Sequence, residues 1–276
     1  MADDARALNL PPYKGAVAAP YDTPEFRSAL RNIRTWMSGT AAAVLHDGRN
    51  KIVAGRIPGG SGLAVDAVVK DFRIQGVQKL KSLVQASKAA KAWSGAFFLQ
   101  DRGFATPAPI AYLERRRRGF VAECIFIAAR VSDAREIRDL FRILGDPDLR
   151  ALLSPLAVLL RRFHDAGLIH RDLSDGNIFV RDNAGGGFEF LFLDTNRIRL
   201  RRRVGAFRRA RNLVRLGIPS GLRPFFLEQY AAAPGLFRIG RSFGHWYHWG
   251  KRMFAGRLRF KKALRLRKIA RILKIQ

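Results

Sequence analysis

Apolar and polar positions along this chain alternate in short runs through its first half and take helical spacing through much of its second. Ala41–Leu45, Ile52–Arg56 and Leu63–Lys70 read as strands separated by the turn signals HDGRN and PGGSG, and together they predict a small antiparallel meander. Leu80, Leu83, Val84, Trp93, Phe97 and Phe98 predict a helix over Leu80–Leu99. The loop GFATPAP then leads to two further strand-like runs, Ile110–Leu113 and Phe120–Ala128. Residues 1–35, punctuated by Pro11, Pro12, Pro20 and Pro24, read as an irregular or partly helical lead-in.

After Ser132 the period changes. Leu149, Leu152, Leu153, Leu156, Leu159, Leu160 and Phe163 keep helical spacing, and Gly167 stands where a helix would end. Strand-like runs Asn177–Arg181 and Phe188–Asp194 follow, joined by the turn DNAGGG, and the remainder reads as helical and basic. No internal repeat is present. The pattern predicts an α+β protein: a lead-in over 1–35, a β-rich part over 36–130 and a helical part over 131–276.

Composition sharpens this picture in three ways. With 276 residues, 48% of them hydrophobic, the chain can bury a core. The single cysteine, Cys124, excludes an intrachain disulfide and, inside the apolar run Ala122–Ala129, reads as a small buried hydrophobe. The opening MADDARALNLPPYKG does not have the pattern of a secretory signal, and no apolar run is long enough to span a bilayer, so a cytoplasmic protein is expected. The formal charge of +29 is concentrated towards the end, where 23 Lys and Arg face one acid, Glu228, from Arg197 onward. Such a surface calls for a polyanionic partner: an anionic membrane surface, a phosphorylated glycolipid or nucleic acid.

The sharpest chemical signal is HDAGLIHRDLSDGNIFV, followed by FEFLFLDTNRIR. A helix ends, a loop delivers His170, Arg171, Asp172 and Asn177, and an apolar strand further on ends at Asp194. Phosphoryl transfer needs a carboxylate beside the acceptor hydroxyl and oxygen ligands for Mg²⁺, and H-R-D-L-x-x-x-N is a specific pattern for that task. Asp172 would orient the hydroxyl and accept its proton, while Asn177 and Asp194 would hold the metal. His164 and His170 read as residues that brace the loop. Arg115–Arg118 reads as a solvated turn, with a substrate-facing role as the sharper alternative.

This loop resembles that of the protein-kinase-like superfamily, and its surroundings are similar to the lipopolysaccharide kinase family. The stretches that carry the likeness are VVKDFR, SKAAKAW, GFATPAPIAYLERRRRG, the loop itself and LDTNRIR, over roughly residues 62–200. The resemblance implies a bilobal kinase-like fold with a small antiparallel β-rich lobe, a helical lobe, and ATP and Mg²⁺ in the cleft between them. It implies that Lys70 contacts the nucleotide phosphates, and that the acceptor is a Kdo or heptose sugar of the lipid A–core glycolipid. Such an acceptor would be met by a peripheral protein at the cytoplasmic face of the inner membrane.

Two departures from the superfamily pattern stand out. Asp194-Thr195-Asn196 lacks the Phe-Gly of protein kinases, and Leu80–Leu99 contains no Asp or Glu to pair with Lys70. Glu123 or Asp101 would have to serve as that acid, if the pair is used at all. HDGRN is favoured over PGGSG as the phosphate loop. Two competing readings remain: an atypical RNA-associated kinase, which the TPxP context opposes, and a pseudokinase scaffold, which the retention of Asp172, Asn177 and Asp194 opposes. In the tail, GHWYHWGKRMF mixes aromatics with cations. Leu258, Leu266, Ile269, Ile272 and Leu273 share a helical face that Lys262 and Arg265 interrupt.

Overall fold

The computed structural model describes residues 5–60, 62–74, 76–183, 185–235, 240 and 242–273. In chain order its elements are β1 (Ala5–Leu10), β2 (Tyr13–Ala18), α1 (Pro24–Arg31), α2 (Ile33–Trp36), β3 (Ala42–Asp47), β4 (Asn50–Gly60) and β5 (Leu63–Phe72). Then come α3 (Val77–Lys81), α4 (Lys88–Gln100), β6 (Pro109–Arg117), β7 (Phe120–Ala129), β8 (Arg135–Glu136), α5 (Ile137–Ile143) and α6 (Asp146–Asp165). The chain continues through β9 (Leu168–His170), β10 (Ile178–Asp182), β11 (Phe188–Phe192), β12 (Ile198–Leu200), α7 (Ala206–Leu213), α8 (Arg223–Ala232) and α9 (Ser242–Leu273). They form two compact units, one of residues 1–134 and 179–198, the other of residues 135–178 and 199–276.

The first unit is built on a seven-stranded sheet in the order β1-β2-β6-β7-β5-β4-β3, with every neighbouring pair antiparallel. Side chains alternate across it, as the two-residue period of a strand requires. Ile125 and Ile127 of β7 face Phe26, Leu30 and Ile33 of α1 and α2, while Cys124, Phe126 and Ala128 face Ala89, Ala92, Trp93 and Ala96 of α4. Cys124 is fully buried, and burial raises its thiol pKa, as befits a packing residue.

Two readings of the sequence are corrected here. The lead-in, read as irregular or partly helical, does carry α1, but it is not irregular before that helix: β1 and β2 form a hairpin that adds to β6, with Val17 opposite Ala111, and Leu8, Leu10, Tyr13 and Val17 enter the core. The prolines that argued against structure here occupy the hairpin turn (Pro11, Pro12), the short helical turn Ala19–Tyr21 (Pro20) and the first position of α1 (Pro24). The predicted helix Leu80–Leu99 is broken into α3 and α4. Ser87 caps α4, its hydroxyl accepting from the Ala90 amide at 3.0 Å, and Leu80, Leu83 and Val84 are exposed.

The second unit is mostly helical. Leu149, Leu152, Leu153, Leu156, Leu160 and Phe163 of α6 are buried, and Gly167 follows the helix with φ 75°. A Cβ at Gly167 would lie 2.2 Å from the Arg201 carbonyl, so close approach and backbone conformation both call for glycine there. The long basic helix α9 runs to Leu273 and packs its start through Phe243, stacked on Tyr230 at 5.1 Å. The side chains of residues 264–273, on which most of the amphipathic tail reading rests, lie outside the described residues.

Candidate active site

Strand alternation decides which face Lys70 takes. Lys70 and Phe72 lie on the α4 side of the sheet, and Lys70 Nζ is 2.6 Å from Asp194 Oδ1. Glu123 lies on the opposite face, where it is held by Tyr13 at 2.7 Å, Arg34 at 3.1 Å and Arg115. Asp101 caps the C-terminal end of α4 and is exposed. Neither of these acids orients Lys70; the acid beside it is Asp194.

Asp194 adopts the left-handed conformation, φ 52° and ψ 47°, and opens the short turn Thr195–Arg197. The turn is fixed against α4. Thr195 donates its hydroxyl to the Ala92 carbonyl at 2.8 Å, and a Cβ on Gly95 would come within 2.1 Å of the Thr195 carbonyl. Arg197 Nε lies 3.4 Å from Asp194 Oδ2, and Asn196 is best oriented with its amide nitrogen donating to Asp194 Oδ1 at 2.6 Å.

Cations outnumber acids around this residue. Lys88, in the first turn of α4, has its pKa lowered chiefly by burial, which Cys124 partly offsets, and further by Arg197, Arg49 and Lys70 nearby. Arg49 belongs to the HDGRN turn. The register places that turn at the Lys70 end of β5, with Asn50 opposite Phe72, whereas the glycine turn after β4 sits at the other end, with Gly60 opposite Leu63. Sequence reasoning named Lys70 and Asp194 singly, and reached Arg49, Lys88 and Arg197 only as members of the stretches HDGRN, SKAAKAW and LDTNRIR, without giving any of the three a role.

In the second unit the loop carries the other predicted residues. Asn177 Nδ2 donates to the Asp172 carbonyl at 2.8 Å and to Ser174 Oγ at 3.2 Å, while its Oδ1 accepts no hydrogen bond among the described residues. His170 is buried and its Nδ1 accepts from the Asp172 amide at 3.2 Å. The Asp172 carboxylate is paired with Arg215 at 2.8 Å, and the Arg215 guanidinium lies over the Phe254 ring at 5.7 Å. Arg215 was not foreseen; it stands in a run of arginines with nothing to single it out.

His164 does brace the loop, and does so through Asn212. Its Nε2 is 3.0 Å from Asn212 Oδ1, and Asn212 Nδ2 donates to the His170 carbonyl at 2.7 Å. The Tyr230 hydroxyl, 2.7 Å from Nδ1, completes the arrangement, so the ring is neutral with its proton on Nε2. Burial pushes its pKa down to about 4 from the ordinary 6.5. The unfolded chain takes up a proton near pH 6.5 while the folded site resists until about pH 4, so stability falls as pH drops through that window. We expect a loss of about 3 kcal/mol at pH 4 from this residue alone. Urea unfolding of wild type and His164→Gln across the window checks this, and equal pH slopes would refute it.

Fold and loop together define a kinase-like α+β protein. The model of the lipopolysaccharide kinase (Kdo/WaaP) family matches residues 78–229, more than half of the chain, and the chain belongs to that family. Among solved structures, that of WaaP in complex with acyl carrier protein is similar in fold. It is 19% identical, aligned over 83% of this chain and 95% of that one, with a TM-score of 0.58. A comparison with curated proteins finds no match.

Proposed function

We propose that this kinase transfers the terminal phosphoryl group of ATP, with Mg²⁺, to a sugar hydroxyl of the lipid A–core glycolipid, either Kdo or heptose, as a peripheral protein at the cytoplasmic face of the inner membrane. The observation that carries this reading, in a chain of this family, is the 2.6 Å contact between Lys70 and Asp194. It joins the strand lysine to the acid of the metal-binding segment without any helix carboxylate.

The residues fit the groups assigned to them. The carboxylate of Asp194 and the amide oxygen of Asn177 are hard oxygen donors of the kind Mg²⁺ prefers, and Lys70, Lys88, Arg49 and Arg197 supply positive charge for phosphates. Bound Mg²⁺ would supply charge neutralisation at the transferring phosphoryl group. Lys70 would turn from Asp194 towards phosphate oxygens, freeing the carboxylate. Asp172 would take the acceptor proton, with Arg215 holding the carboxylate in place. The basic second unit would draw in the anionic acceptor.

Labelled ATP offered with lipid A–core glycolipids that end in Kdo or in heptose tests the reading. Transfer to one of them is expected, lowered about a hundredfold in Lys70→Met by loss of one charge at the phosphates. Efficient transfer to RNA-associated or protein acceptors with none to glycolipid would overturn it.

A further inference from the structure

Helix α9 has two apolar faces, and only one is covered. Phe243 and Tyr247 are buried in the second unit, and Lys251 on the same side donates to the Leu216 carbonyl at 2.9 Å. Trp246, Trp249, Met253 and Phe260 fall on another side, within about 60° of arc at 3.6 residues per turn. All four are exposed, and Phe207 of α7 joins them, its ring 5.2 Å from Trp246 and 6.4 Å from Trp249. These five side chains keep 39% to 65% of their surface in solvent. Single exposed apolar residues are ordinary on a protein surface, but the packed cluster of Phe207, Trp246 and Trp249, continued along the same side of α9 by Met253 and Phe260, marks a docking site.

The setting of the stripe identifies its occupant. Arg208, Arg211, Arg252, Arg257 and Arg259 are exposed on the same two helices, neither of which carries an acid among the described residues. Among the described residues no helix is long and apolar enough to cross a membrane. Paired tryptophans beside arginines suit the headgroup level of a bilayer, where indole rings lie between apolar and wet surroundings. Nucleic acid would use open ring faces as stacking platforms. Here Trp246 and Trp249 meet edge to face at 6.2 Å, as do Phe207 and Trp246, and Met253 extends the stripe with an aliphatic side chain.

We propose that the stripe Phe207–Trp246–Trp249–Met253–Phe260, with its flanking arginines, is an interfacial docking surface by which α9 lies in the plane of an anionic bilayer. This rests on the proposed function only for its purpose, delivery of the kinase to a membrane-held acceptor; the binding is measured without the chemistry.

The experiment floats the full-length protein with vesicles of phosphatidylethanolamine and phosphatidylglycerol, and with vesicles of phosphatidylcholine alone. Wild type is expected to bind the anionic vesicles. Trp246→Ser with Trp249→Ser should weaken binding about tenfold or more, and Arg252→Gln with Arg259→Gln about fivefold per cation. Quenching of tryptophan fluorescence by brominated acyl chains reads the same contact in a Trp36→Phe background, since Trp93 is buried and the half-buried Trp36 would otherwise contribute. Transfer to a deacylated, water-soluble core oligosaccharide should be unchanged in the tryptophan variant. If wild type binds vesicles but phosphorylates no soluble acceptor, the function fails and the docking surface stands. Absence of quenching, unaltered binding by the tryptophan variant, or tryptophan-dependent binding to single-stranded RNA in place of vesicles would each overturn the docking surface.

Discussion

Asp172→Asn is expected to lower the rate of phosphate transfer by between about a hundredfold and ten-thousandfold, the range usual for loss of a positioned base. The substitution is nearly isosteric, and the contacts that shape the loop run to the backbone of residue 172. His170 Nδ1 accepts from its amide and Asn177 Nδ2 donates to its carbonyl. The loop should therefore survive while the proton acceptor is lost, and the Arg215 guanidinium should keep a hydrogen bond but lose its countercharge. Nucleotide affinity should change little, since Lys70, Lys88, Arg49 and Arg197 lie elsewhere in the chain. Single-turnover transfer and nucleotide titration on the same preparations separate the two quantities. Wild-type turnover in the variant would remove Asp172 from the chemistry.

The largest effect on stability is expected from Asp165→Ala. The Asp165 carboxylate accepts from Arg161 at 3.1 Å and from Arg209 at 2.6 Å, and all three side chains are almost wholly buried. Removing the acid leaves two guanidinium groups without their countercharge, which costs about 3–5 kcal/mol when a buried pair is broken. The residue also closes α6 immediately before Ala166 and the glycine that leads towards His170–Asn177, so the order of that loop should fall with it. Arg150–Asp146, of similar i,i+4 spacing but exposed, supplies the control, with an effect within about 1 kcal/mol. Urea unfolding distinguishes them, and equal midpoints for the two variants would contradict the argument.

Much of the candidate site was legible because it is local. His170–Asn177 lies between a helix end and a strand start, both of which leave period and punctuation in the sequence. The strands β3 to β7 were visible as alternating runs, and β5 was found with Lys70 near its end. What was not legible depends on contacts between distant segments. The hairpin β1–β2 is stabilised by β6, about a third of the chain away, and its own short alternation is masked by Pro11 and Pro12 in the turn. Glu123 is near Lys70 in the sheet, but strand parity puts it on the other face with Tyr13 and Arg34. The continuous helix over Leu80–Leu99 overlooked Ser87, a residue that caps helices more readily than it continues them. Arg215 and Asn212 belong to a stretch whose abundance of cations hides the two residues that touch the loop.

The discontinuity of the first unit has a consequence in time. On a ribosome adding about 5–20 residues per second, the β1–β2 hairpin waits roughly 5–20 s before β6, its partner at Val17–Ala111, has been made. The turn Thr195–Arg197, which bonds back to Ala92, comes later still, after residues 135–178 of the other unit have emerged. An isolated hairpin is marginal in water, so throughout this interval Leu8, Leu10 and Val17 present an unfinished sheet edge. Synthesis rate and chaperone supply should therefore govern the soluble yield of this protein more strongly than the equilibrium stability of the finished fold.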